Sequence, residues 1–76
     1  MQKKNEKPAR QRLLDAAMDI FGKHGYDGAT TRMIAKEAGV NIASIPYYFD
    51  GKEGLYTALV KEIAALLSSQ VKEVQE

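Results

Sequence analysis

Apolar residues recur along the chain at spacings that place them on one side of a helix. Steps of three and four residues are typical of an amphipathic helix, and the first such series consists of Leu14, Ala17, Met18 and Phe21, with Leu13 and Ile20 beside it. Pro8 suits the first turn of this helix or the residues just before it, and Gly25 suits a left-handed residue at its end. The pattern predicts a first helix from about Ala9 to His24, followed by a loop over residues 25–29.

The next two predicted helices are short. Thr30 is a favourable N-cap for a helix that ends at Gly39, and the inner face of this helix would carry Ile34, Ala35 and Ala38. Asn41 can cap a third helix, whose inward side would carry Ile45, Phe49 and part of Tyr48. With Asn41 as the cap, Pro46 lies just beyond the first four helical positions and removes one backbone hydrogen bond, which predicts a short or distorted helix.

A longer fourth helix is predicted after a break at Asp50 and Gly51. Residues 50–53 (DGKE) resemble a capping box, and the apolar series of this helix consists of Leu55, Leu59, Ile63 and Leu66. No strand candidate of useful length competes with the helices. The predicted fold class is therefore all-α, a three-helix bundle with the start of a longer fourth helix.

The two short helices and the turn between them have the composition of a helix-turn-helix. The small Ala35 lies four positions before Gly39 and allows the helices to cross closely, while Val40 can fill the angle between them. The predicted core of this unit consists of Ile34, Ala35, Gly39, Val40, Ile45 and Phe49. Such a unit with a third helix in the major groove is homeodomain-like in architecture.

The outward side of the third helix is unusual for a surface that meets only water. It would carry Ile42, Ala43, Pro46 and Tyr47, a face that suits a helix pressed into a groove of DNA. A helical protein-interaction module that docks a protein on the same exposed residues is the alternative from another functional class. A third possibility is a monomeric homeodomain-like DNA binder, but that class needs a third helix rich in Asn and Arg.

Positive charge is concentrated near the N-terminus. Residues 1–12 hold five basic residues and one acidic residue, whereas the remaining residues hold six basic and nine acidic ones. Residues 1–8, which include Lys3, Lys4 and Lys7, are predicted to form a basic and flexible arm. A polyanionic partner near the N-terminus explains this distribution, and so does a terminal segment that is merely kept solvated by its lysines.

No catalytic or metal-binding pattern is present in the sequence. There is no cysteine, the only histidine, His24, has no partner cluster, and no glycine-rich phosphate loop occurs. The carboxylates are scattered along polar helix faces: Asp15, Asp19, Glu37, Glu53 and Glu62. We therefore expect no enzymatic activity, no cofactor and no metal. Neither a secretory signal nor a membrane span is predicted, so a cytoplasmic location without a membrane partner is expected.

Five segments together resemble the N-terminal domain of the TetR/AcrR family of transcription regulators. They are residues 14–17 (LDAA), 21–26 (FGKHGY), 30–40 (TTRMIAKEAGV), 45–49 (IPYYF) and 52–55 (KEGL). The resemblance covers residues 7–67 and implies that these residues form a helix-turn-helix DNA-binding domain. Residues 68–76 would be the end of the fourth helix or the start of a further domain.

The resemblance also implies roles for individual residues. Thr31 and Arg32 would hold the phosphate backbone or reach a base edge, and Ile42, Ala43 and Ser44 would enter the major groove. Tyr47 and Tyr48 would contact backbone and sugar, and Lys52 would clamp a phosphate. A secondary cap at Thr31, a core position for Tyr48 and a solvated Lys52 remain alternatives. Pro46 departs from the family, which usually has tyrosine there.

Members of this family are usually longer than this chain. The resemblance implies a homodimer held together by a C-terminal domain, which also binds a small effector whose pocket lies outside these residues. Two DNA-binding domains would then occupy successive major grooves of a pseudo-palindromic operator in double-stranded DNA. Ligand-responsive repression of transcription is the implied function.

Overall fold

Four helices make up the computed structural model of the chain, whose described backbone covers residues 7–74 and whose described side chains cover residues 7–69. They are α1 (Ala9–Gly28), α2 (Thr31–Ala38), α3 (Ser44–Phe49) and α4 (Lys52–Val74). No strand occurs among residues 7–74. The all-α prediction is thus confirmed, and the predicted basic arm lies almost entirely outside the described residues.

Helix α1 supplies the largest part of the hydrophobic core. Its buried residues are Leu13, Leu14, Ala16, Ala17, Ile20 and Phe21. The prediction that Met18 belongs to this face is wrong, because Met18 is 50% exposed. The buried residues Leu13, Ala16, Ala17 and Ile20 define the inner face of α1. Met18 lies beside this face and not on it.

The sequence predicted that the first helix would end at Gly25, but the structure shows that it continues beyond this residue. Gly25 has φ 76° and ψ 170°, which interrupts α1, but one more helical turn follows as far as Gly28. The amide of Ala29 donates to the Gly25 carbonyl at 3.1 Å and closes that turn. The reason lies in packing, because the ring of Tyr26 stacks on that of Phe21 with 5.7 Å between centroids.

The predicted turn between α2 and α3 is confirmed. The Thr30 hydroxyl oxygen accepts a hydrogen bond from the Met33 amide at 3.1 Å and caps α2. Gly39 has a left-handed conformation with φ 72° and ends the helix. The Ala35 carbonyl accepts from both the Gly39 and the Val40 amides, at 2.9 and 3.1 Å, so one buried carbonyl fixes the direction in which the chain leaves α2.

The start of α3 differs from the prediction. The Asn41 side chain accepts from the Ala43 amide at 2.8 Å, so it caps the turn before α3 and not the helix, which begins at Ser44. Pro46 is therefore the third residue of α3, where a backbone amide has no intrahelical acceptor. The expected loss of a hydrogen bond does not occur, although α3 is short, with six residues.

Helix α4 closes the core with its first half. Leu55 and Leu59 are buried and Ile63 packs at the edge of the core, as the sequence predicted. The prediction fails at Leu66, which is 61% exposed. The predicted capping box is not formed by residues 50–53 either, since Asp50 adopts a left-handed conformation as the C-cap of α3.

Candidate nucleic-acid interface

The two sides of α3 differ sharply in burial. Ile45 and Phe49 are buried, whereas Tyr47 is 80% exposed and Ile42, in the preceding turn, is 42% exposed. Ala43 and Pro46 are exposed as well, and Ser44 is half-buried. The sequence-based division of this segment into an inner and an outer face is confirmed.

Tyr48 lies on the boundary between these faces. Its side chain is 43% exposed, so it is not a core residue. Its ring packs edge-to-face against Tyr47 with 4.8 Å between centroids and lies 6.3 Å from the Phe49 ring. The core alternative for Tyr48 is therefore excluded, and both tyrosines are presented to solvent.

The first turn of α2 offers a second group of predicted contact residues. Arg32 is exposed and Thr31 is half-buried. The capping role falls to Thr30, whose hydroxyl binds the Met33 amide, so the hydroxyl of Thr31 is not the one that caps α2. Backbone amides in the first turn of a helix lack intrahelical acceptors and favour anions. The geometry of this turn is compatible with a phosphate group.

Lys52 begins α4 and does not extend freely into solvent. Its ammonium lies 4.3 Å from the centroid of the Tyr26 ring, and the residue is half-buried. Tyr26 in turn packs edge-to-face against Tyr56 of α4, with 5.0 Å between centroids. Sequence reasoning assigned Tyr26 to a loop and gave Tyr56 no role, because the contact joins residues far apart in the chain.

Two basic side chains near the N-terminus, those of Lys7 and Arg10, make contacts within the domain. Lys7 Nζ lies 2.8 Å from Asp15 Oδ2, and Gln11 donates to the other carboxylate oxygen at 3.0 Å. Hydrogen bonds from Lys7 and Gln11 lower the pKa of Asp15, with the charge of Lys7 acting in the same direction. The Arg10 guanidinium lies 5.0 Å above the Phe49 ring. Lys3 and Lys4 of the predicted arm lie outside the described residues.

An open groove of about 1050 Å³ runs between the start of α1, the end of α3 and α4. Carboxylates of Asp50, Glu53 and Glu62 line it beside Arg10 and Lys61. Tyr47 and Tyr48 line the α3 side of the same groove, so that side borders the candidate interface, whereas the carboxylates of Glu53 and Glu62 on the α4 side would repel a polyanion.

The remaining charged residues that the structure describes show no sign of a metal site. Asp19 Oδ2 forms an ion pair with Lys23 Nζ at 3.4 Å. No cluster of three potential metal ligands occurs within residues 7–74.

The comparison with known protein families gives one match, to the family described as "Bacterial regulatory proteins, tetR family", over residues 13–59. These residues include α2, α3 and the turn between them, together with Lys52. None of the helices described is long and apolar enough to cross a membrane.

Relatives similar in sequence are named as transcription regulators. The HTH-type transcriptional dual regulator CecR of Shigella flexneri is 47% identical over 64 residues, which are 84% of this chain and 28% of CecR. The repressor AcnR of Corynebacterium glutamicum is 39% identical over 65 residues, 86% of this chain and 35% of AcnR. The chain thus spans about a third of the length of these relatives.

A solved structure agrees with the sequence matches. HlyIIR, named a hemolysin II transcriptional regulator, is 47% identical to this chain and superimposes with a TM-score of 0.67. The match covers 70% of this chain and 30% of HlyIIR. By its sequence and by its fold, the chain belongs to the tetR family of bacterial regulatory proteins.

Proposed function

We propose that this chain is the part of a transcription regulator that binds double-stranded DNA in a sequence-specific manner. The observation that carries the proposal is the exposure of Tyr47 on the outer side of α3 and of Ile42 in the turn before it, while Ile45 and Phe49 anchor the inner side of the helix. An α-helix fits the major groove of B-DNA, where base edges are accessible. Helix α3 is the element of this domain whose outer side offers apolar contacts to such a groove.

The candidate residues divide into two roles. Arg32 and Lys52, with Thr31 at the start of α2, would hold phosphates and set the orientation of the domain. Ile42 and Ala43 offer no side-chain hydrogen bonds, so they would read bases by apolar contact with thymine methyl groups. Ser44, Tyr47 and Tyr48 would add contacts to bases, backbone and sugar.

The whole regulator would act as a homodimer on a pseudo-palindromic operator. Two domains in successive major grooves would be about 34–36 Å apart if one DNA turn separates them. A small effector bound by residues beyond this chain would change that separation and release the DNA. Repression in the cytoplasm is the outcome that we propose, in line with the name of AcnR; CecR is named a dual regulator.

Titration with a mixed-sequence duplex at two salt concentrations tests DNA binding. We expect steep salt dependence, and we expect Arg32→Gln and Lys52→Gln each to reduce the slope of log affinity against log salt by about 0.9. Lys36→Gln and Lys61→Gln are charge-matched controls in the same helices, and they should leave the slope unchanged. Absence of binding at low salt would contradict the proposal and favour the protein-interaction module.

Selection from a random DNA library tests the division of roles. Ile42→Asn should change the preferred sequence, because position 42 is proposed to face base edges. Lys52→Gln should weaken binding to all sequences alike, because phosphate contacts carry no base information. A changed sequence preference in Lys52→Gln would show that the two roles are wrongly assigned.

A further inference from the structure

We propose that Tyr26 is a positioning residue that holds the Lys52 ammonium in place for a DNA phosphate. This inference rests on the proposed DNA-binding function and extends it to a residue at the far end of α1. The observation behind it is the Lys52 ammonium, 4.3 Å from the centroid of the Tyr26 ring. The ring attracts the ammonium through its negative face.

The Tyr26 ring is itself fixed on two sides. It stacks on Phe21 at 5.7 Å with an interplanar angle of 13°, and it packs against Tyr56 at 5.0 Å with an angle of 75°. Phe21 also contacts Tyr56 edge-to-face at 5.1 Å. The three rings join α1 to α4, so the ring against which the ammonium rests is held by contacts with both helices, although Tyr26 and Tyr56 are themselves 38% and 40% exposed.

The backbone at Gly25 makes this contact possible. Its positive φ of 76° redirects the chain before the last turn of α1. Tyr26 follows directly and packs against α4 through Tyr56. The additional turn that the sequence did not predict therefore places an aromatic face beside the first residue of α4.

The charge of Lys52 remains available to an external anion. The ion pairs among residues 7–69 join Lys7 to Asp15 and Lys23 to Asp19, and neither involves Lys52. An ammonium has three donors, and an aromatic ring covers only one side of it. A phosphate can approach from the other side without displacing the ring, while the ordered side chain loses less rotamer freedom on binding.

A double-mutant cycle with a mixed-sequence duplex at low salt measures this coupling. Tyr26→Leu should weaken binding by at most about fivefold, because ordering of the Lys52 side chain cannot contribute more than the free energy of the exposed cation–π contact that maintains it, about 0.5–1 kcal/mol. The same change in a Lys52→Gln background should have no further effect, because the ammonium is gone. Tyr26→Phe keeps the ring and should retain wild-type affinity. Thermal melts of all variants establish that each is folded at the temperature of the titration.

Nuclear magnetic resonance of the free protein gives a second readout that needs no DNA. The ε-methylene protons of Lys52 should be shifted upfield by the Tyr26 ring current, and the shift should persist in Tyr26→Phe and vanish in Tyr26→Leu. Absence of this shift in the wild-type protein would overturn the proposal, whatever the affinities.

The outcomes separate the proposals from one another. Loss of affinity from Tyr26→Leu in both backgrounds would mean a general structural role and would overturn the positioning role. Tighter binding by Tyr26→Leu would also overturn it, because the ring would then compete with phosphate. If Lys52→Gln alone leaves affinity unchanged, the phosphate contact is wrong while DNA binding stands. If the wild-type chain binds no DNA, both proposals fail.

Discussion

The backbone carbonyl of Phe49 occupies the position that a β-carbon at residue 54 would need. A β-carbon built on Gly54 overlaps the Phe49 carbonyl oxygen and lies 2.8 Å from the carbonyl carbon. Both atoms belong to the backbone, so no side-chain rotation can relieve the overlap. Helix α4 therefore approaches the end of α3 as closely as it does only because residue 54 is glycine.

Gly54→Ala should destabilise the domain, although alanine is the better helix former. Overpacking of this kind costs about 1–3 kcal/mol, and here α3 must move for the change to be accommodated. Gly22→Ala is the matched control, because a β-carbon at residue 22 meets nothing within 4 Å. This substitution should stabilise α1 by roughly 0.5–1 kcal/mol. Urea unfolding of the two variants measures whether each one raises or lowers the free energy of unfolding. A Gly54→Ala protein as stable as the wild type would refute the close approach of residue 54 to the Phe49 carbonyl.

Leu59→Ala should reduce the free energy of unfolding by about 2–5 kcal/mol, because it leaves a cavity between α4 and α1. Leu59 is buried, whereas Leu66 in the same helix is 61% exposed. Leu66→Ala should therefore change stability by no more than about 0.5 kcal/mol. Thermal melts that fail to separate the two variants would contradict the packing of α4.

Thr30→Ala should cost about 0.5–2 kcal/mol, the usual effect of removing an N-cap. The Thr30 hydroxyl binds the Met33 amide, and that amide loses its partner in the variant. Thr57→Ala, at an exposed position within α4, is the control and should be neutral or slightly stabilising. Equal melting temperatures for wild type and Thr30→Ala would show that the cap does not stabilise α2.

The pKa of the Asp15 carboxylate should lie below its ordinary value in the folded protein. Hydrogen bonds from Lys7 and Gln11 lower its pKa, so its contribution to stability is present above the unfolded-state pKa and is lost as the pH falls through the folded-state value. Both partners of the ion pair are exposed, which limits that contribution to about 1 kcal/mol. In a titration followed by nuclear magnetic resonance, Lys7→Gln should raise the pKa of Asp15, and an unchanged midpoint would contradict the pairing.

The isolated chain should bind its operator more weakly than a dimerised version. Fusion after Glu76 to a dimerising coiled coil through flexible linkers should raise the apparent affinity by about 10²–10⁴-fold, provided both domains reach their half-sites. Gel-shift titrations with several linker lengths measure the gain. If the free chain already binds as tightly as the best fusion, one domain suffices, as in the homeodomain-like alternative.

Local signals in the sequence were sufficient for the helix-turn-helix. Thr30 and Gly39 act on neighbours within a few residues, so their roles as cap and left-handed residue are predictable from type and spacing. Ala35 was expected only as a small residue at the helix crossing, and the two hydrogen bonds to its carbonyl were not predicted. The inner and outer faces of α3 follow from helical periodicity in the same way. Periodicity failed at Met18, which lies beside the buried face of α1, and at Leu66, which lies beyond the half of α4 that packs on the core.

Contacts between distant residues were not predictable. Gly54 looks like a weak helix former until the Phe49 carbonyl is placed beside it, and Tyr26 looks like a loop residue until Tyr56 packs against it. Pro46 was misjudged for a smaller reason: the N-cap of α3 is Ala43 and not the predicted Asn41, so the helix begins at Ser44. The candidate DNA contacts depend most on the resemblance to a family, because no local rule separates a phosphate-binding lysine from a solvated one.

The separation of the two sides of α3 has an evolutionary consequence. Ile45 and Phe49 hold the helix in the core, while Ile42, Ala43, Pro46 and Tyr47 are exposed. Substitutions at exposed positions usually change stability by less than about 0.5 kcal/mol, so descendants of this sequence could exchange the outer residues freely without first acquiring compensating changes. Recognition could diverge between gene duplicates by single steps, while the scaffold that presents it stays the same.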